Sequence, residues 1–132
     1  MTVDHISNGR LEIGLGAGSL HDPSYRMAGV ENYPARERVA RYREAVEIMD
    51  QLLREGASSY QGRYYSTEGA LLRPAPVQRP RPPFTLAAQG PAAMKIAARY
   101  ADTWNVYSSR DPALPADLWR AGEQSLYLGR GV

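Results

Sequence analysis

Residues Phe84–Val106, FTLAAQGPAAMKIAARYADTWNV, contain a complete strand–helix–strand unit. FTLAAQ is a short apolar run that follows prolines and stops before Gly90, which predicts a strand. Pro91 suits a first helical position, where a missing N–H costs nothing. Met94, Ala97, Ala98 and Ala101 recur at helical spacing and predict one apolar face. TWNVYSS predicts the next strand. Strands joined through a helix pair in parallel, so this unit points to an α/β fold.

The same alternation runs upstream. DHISN followed by Gly9 predicts the tail of a helix, and in RLEIGLGAG the residues Leu11, Ile13 and Leu15 alternate as in a strand. Residues 19–35 hold prolines and scattered aromatics without a clean period, which predicts a long loop of the kind that carries function. From Glu37 to Glu55, Val39, Tyr42, Val46, Met49, Leu52 and Leu53 keep helical spacing, with Gly56 as the stop. SSYQGRYYSTEGALLRP predicts a small hairpin around Gly62. The proline-rich PAPVQRPRPP cannot be a helix or central strand and predicts a stiff extended connector into the strand at Phe84. A tail with Leu118, Trp119 and Leu126 predicts one more helix, from Pro115 to Gly129.

A chain of 132 residues suffices for one domain with its own core, so residues 1–132 are read as a single unit. With 43% hydrophobic and 23% charged residues the composition is that of a globular protein. Sixteen Lys plus Arg oppose fourteen Asp plus Glu, interleaved as in RERVARYREAVE, which argues against a nucleic-acid-binding face. The absence of cysteine excludes disulfides and thiolate chemistry, and two histidines, His5 and His21, give no zinc pattern. No apolar run approaches the ~18 residues of a membrane helix, and MTVDHISNGR lacks a signal-peptide core; a cytoplasmic location and no membrane partner are expected.

Gly14, Gly16 and Gly18 in EIGLGAGSLHDPSY (Glu12–Tyr25) invite a dinucleotide-binding reading. Gly-x-Gly-x-x-Gly must run directly into a helix. Its third glycine falls on Ser19 from Gly14 and on His21 from Gly16, and Asp22–Pro23 open a loop. Two explanations remain: close packing of a strand or helix, or room for a flat ring at a strand's C-terminal end, as at the top of a TIM barrel. Gln89, Gly90 and Pro91 supply a second candidate, because an uncapped helix start offers N–H groups to an anion. Tyr107, Ser108 and Arg110 end the next strand with phosphate-binding chemistry.

Taken in order, DHISNGRLEIGLGAG, ERVARYREAVEIMDQLL, YQGRYY and PVQRPRPPFTLAAQGPAAMKIAARYADTWNV resemble the bacterial luciferase-like monooxygenases, flavin- or deazaflavin-dependent oxidoreductases on a TIM barrel. The resemblance implies a partial (β/α)8 barrel of about three parallel βα units with a hairpin and a long loop. It also implies an FMN or 5-deazaflavin cofactor and a small-molecule substrate. The implied phosphate ligands are Gln89, Gly90, Tyr107, Ser108 and Arg110, and the implied ring-side positions are Gly16, Gly18 and Ser19. His21, Asp22 and Tyr25 begin the loop that would roof the pocket, with His21 and Tyr25 the two acid–base candidates. Asp4 and His5 are read as packing and capping groups.

A full barrel needs about 250 residues, so the sequence is expected to be a central piece that lacks the first strands and the last units. The reading of another class is a non-catalytic barrel fragment that binds a phosphate-bearing ligand or associates, as a homo-oligomer, through open sheet edges.

Overall fold

The structure, a computed structural model, describes residues 1–106. The expected helix from Pro115 and the expected ligands Tyr107, Ser108 and Arg110 lie outside the described residues. In chain order the elements are α1 (Thr2–Ile6), β1 (Ile13–Gly16), α2 (Ser24–Met27), α3 (Ala35–Glu55), β2 (Ala57–Gln61), β3 (Ser66–Leu71), β4 (Phe84–Ala87), α4 (Pro91–Tyr100) and β5 (Thr103–Asn105).

Strands β1, β4 and β5 form a parallel sheet in that order. Pairing aligns Leu15, Leu86 and Trp104 on one face and Gly16, Ala87 and Asn105 on the other. The first face packs against the helices. Phe84 and Leu86 are completely buried there with Val46 of α3 and with Ala93, Ile96 and Ala97 of α4. Each buried Phe or Leu side chain stabilises the fold by about 1.5–3 kcal/mol. The second face carries small or polar residues, and Gly14, Gly16, Ala87 and Asn105 are exposed on it.

Helix α3 ends as its sequence requires. Gly56 adopts φ +74° and its N–H donates to the Leu52 carbonyl at 2.9 Å, a left-handed stop that an L side chain resists. The buried face of α4 is one position out of phase with the expected one: Ala93, Ile96 and Ala97 are buried, while Met94 is 43% exposed. Alanines nearly all round this helix leave the sequence little contrast from which to fix its phase. The expected 19–35 loop also contains a short helix, α2, at whose start the Asp22 carboxylate accepts the Ser24 N–H at 2.9 Å.

Three buried charged groups tie distant segments together. Asp4 accepts the Val77 N–H at 2.6 Å and the Gln78 side-chain amide at 2.9 Å, fixing the end of α1 to the proline-rich connector. Beside it, the exposed His5 ring meets the Ala75 carbonyl at 2.8 Å; Asp4 is packed as expected, but neither side chain caps α1, because both reach the connector instead. Glu44, on α3, accepts the N–H groups of Arg63, Tyr64 and Tyr65 at 2.8–2.9 Å and so holds the β2–β3 turn against the helix. Arg81 donates to Asp50 at 2.6 Å and to Asp102 at 2.7 Å, with its guanidinium 3.8 Å from the centre of the Phe84 ring.

Candidate cofactor site

The C-terminal ends of β1, β4 and β5 open onto one cleft of about 650 Å³. Its apolar lining is mostly small, with Gly16, Ala17, Ala87, Ala88 and Ala93 beside the larger Val39. Ser19, Gln89, Asn105, Asp22 and Arg38 add polar groups. Three of the expected cofactor-side positions on β1 and its loop, Gly16, Gly18 and Ser19, therefore meet Gln89 although some seventy positions separate them in sequence. Small-molecule sites are typically concave, of about 300–1,000 Å³, and combine an apolar lining with a few polar groups.

The glycines do different work. A side chain at Gly16 would come within 3.3 Å of the Ala87 β-carbon, so Gly16 keeps the cleft floor level between two paired strands. Gly18, at φ +74°, is closely approached by the Tyr25 hydroxyl, so its missing side chain makes room for Tyr25 rather than for open space. Gly14 has nothing within 4 Å of the place where a side chain would start. Gly90 combines φ +78° with ψ 157°, a region essentially restricted to glycine, and likewise faces open space.

Gly90 is also the N-cap of α4, with Pro91 in the first turn and no side chain capping the helix. The first N–H groups of such a helix and its dipole favour an anion. Gln89 and Ala93, in the first turn of α4, line the cleft, whereas Pro91 and Ala92 line a second groove.

His21 and Tyr25 are not brought into the cleft. His21 is exposed, and its backbone N–H donates to the Ser19 hydroxyl at 3.3 Å. Tyr25 lines a separate cavity of about 280 Å³ with Val30, Tyr33 and Tyr42. Burial pushes the Tyr42 hydroxyl up to about 12, and it donates to the Leu15 carbonyl at 3.3 Å.

Two cleft residues escape sequence reading. Asn105 shares the open face of the sheet with Ala87 and Gly16, a placement that follows from strand register. Arg38 sits where α3 meets the 19–34 loop and lines both cavities. One of its terminal nitrogens donates to Asn32 at 3.2 Å and to the Tyr33 carbonyl at 3.1 Å, while its Nε is buried without a hydrogen-bond partner. In sequence it is one of many arginines in RERVARYRE, and nothing local distinguishes it.

A family model for luciferase-like monooxygenases matches residues 1–121. The chain belongs to the luciferase-like monooxygenase family. An F420-dependent glucose-6-phosphate dehydrogenase of Microbacterium testaceum is 35% identical over 114 residues, covering 86% of this chain and 32% of that protein. An F420-dependent hydroxymycolic acid dehydrogenase of Mycobacterium tuberculosis is 31% identical over 132 residues, 95% of this chain and 35% of that one. Among solved structures, the coenzyme F420-dependent tetrahydromethanopterin reductase of Methanopyrus kandleri superposes with a TM-score of 0.67 at 30% identity, over 82% of this chain and 34% of that one. The chain thus spans about a third of the length of these luciferase-like relatives.

Its parallel sheet and flanking helices are a part of the family's TIM barrel, and among the described residues the barrel is not closed. No described helix is long and apolar enough to cross a membrane, and no group of three or more His, Asp or Glu among the described residues could hold a metal ion.

Proposed function

We propose that this chain forms the cofactor-facing part of an F420-type, 5-deazaflavin-dependent oxidoreductase acting on a small molecule. The observation that carries the reading is the convergence of three parallel strand ends on one cleft, with Gln89 and with Ala93 from the first turn of α4. Its residues suit such a group. Gly16 and Ala87, on the open face of the sheet, leave room for a flat ring, and Ser19, Gln89 and Asn105 place polar side chains at its margin. The phosphate would sit by Gln89 and Gly90, where the first N–H groups of α4 lack a side-chain cap.

A bound deazaflavin supplies hydride transfer, while the protein supplies binding, orientation and electrostatics. The choice of deazaflavin over FMN rests on the F420-dependent relatives at 31–35% identity. Absorbance titration of the purified chain with a 5-deazaflavin and, separately, with FMN tests the reading. Saturable deazaflavin binding that Gly90→Val weakens supports it; saturation by FMN alone overturns the cofactor choice, and saturation by neither overturns the proposal.

A further inference from the structure

Outside the strand-end cleft, helices α3 and α4 flank a groove of about 590 Å³. Arg36 and Arg43 line it from α3, Lys95 and Arg99 from α4, against a single carboxylate, Glu47. That carboxylate is already engaged: it accepts the Tyr60 hydroxyl at 2.5 Å and lies 3.9 Å from the Arg43 Nε. Four cations facing one carboxylate exceed the net charge of +2 carried by the whole chain. The side chains of Arg36 and Lys95 take part in no ion pair or hydrogen bond among the described residues, and that of Arg99 has only the ring of Tyr100, 5.3 Å from its guanidinium carbon.

We propose that this groove docks an extended acidic segment of a partner protein. Its cations stand in two rows. Lys95 and Arg99 lie four positions apart, about 6 Å along a helix axis, and Arg36 and Arg43 seven apart, about 10.5 Å. An extended chain places side chains of one face about 6.6–6.8 Å apart. Carboxylates at every second residue therefore match the Lys95–Arg99 interval. Val39, Ala40, Ala92 and Ile96 leave a small apolar floor that takes the intervening small side chains. The groove shares Val39 with the strand-end cleft and includes Pro91 and Ala92 at the start of α4, but none of its four cations lines that cleft.

The test is fluorescence anisotropy with a labelled nine-residue peptide of alternating Glu and Ala, beside its Gln–Ala counterpart. The acidic peptide binds and the neutral one does not. Lys95→Gln weakens binding about threefold, and adding Arg36→Gln brings the loss to about tenfold, the scale of exposed charge pairs. Both side chains lack partners, so thermal melting of these variants stays at the parent temperature. Arg63→Gln, on the hairpin and away from the groove, leaves binding unchanged. Equal loss in Arg63→Gln and Lys95→Gln would show attraction to net charge and overturn the proposal, as would failure of the acidic peptide to bind.

Discussion

Arg81 and Asp102 meet at 2.7 Å where β4 begins and α4 has just ended, and the same Asp102 oxygen accepts the Phe84 N–H at 2.8 Å. Arg81 also donates to the carbonyl of Tyr100, the last residue of α4, at 2.8 Å and to Asp50 of α3 at 2.6 Å. One buried guanidinium thus joins both helices to the entry of the central strand.

Removing one partner of a buried ion pair strands the other charge, at a cost of about 3–5 kcal/mol. Arg81→Met is expected to lose about 3 kcal/mol in urea denaturation, the low end because the Asp102 side chain is 40% exposed. Arg54→Gln breaks a pair of similar length with Asp50, 2.8 Å, but from a side chain that is 41% exposed, and is expected to cost under about 1 kcal/mol. Equal losses would show that the interaction at Arg81 is not set by burial.

Asp4 and Glu44 make stability depend on acid. Burial alone pushes both carboxyls up, but the amide donors around them more than reverse this, and both are held below the ordinary carboxylate range. A lowered folded-state pKa contributes stability that is complete above the unfolded value, about pH 4 to 4.5, and is lost as pH falls through the folded value. Stability measured between pH 7 and pH 2 is expected to fall below about pH 4.5. Glu44→Gln, whose amide N–H₂ faces backbone donors, is expected to lose about 2 kcal/mol at pH 7 and to flatten the acid slope. A slope unchanged in both Glu44→Gln and Asp4→Asn would remove these carboxylates from the acid response.

Much of the fold was legible because local chemistry decides it. Pro91 could only open a helix in that context, Gly56 only end one, and the alternation of Ile13 and Leu15 chose the buried face of β1. Glu44 was not legible: a carboxylate on a helix reads as solvated, and its three donors lie 19–21 residues away. Asp4 likewise finds Val77 at a separation of 73 residues. At the site, the sequence pointed to Gly16, Gly18, Ser19 and Gln89, which line one cleft, whereas Asn105 entered it through register and Arg38 through the path of the 19–34 loop, neither of which a single sequence displays.

Gly18 and Tyr25 are expected to be coupled. Gly18→Ala meets the unfavourable φ of +74°, worth about 1–2 kcal/mol, and collides with the Tyr25 hydroxyl. Tyr25→Phe removes the oxygen that stands closest. In a double-mutant cycle by thermal or urea denaturation, Gly18→Ala should therefore cost less in the Tyr25→Phe background than in the parent, by at least about 0.5 kcal/mol. Additive losses would mean that the hydroxyl does not occupy this space.

Amide chemical-shift mapping of the isotope-labelled chain during titration with a 5-deazaflavin tests the cofactor site most directly. The expected result is saturable shifts concentrated at Gly16, Gly18, Ser19, Gln89, Gly90 and Ala92, with the β2–β3 hairpin unmoved. Saturable shifts confined to other surfaces, or none at any ratio of ligand to protein, would contradict the assignment of the strand-end cleft as the cofactor site.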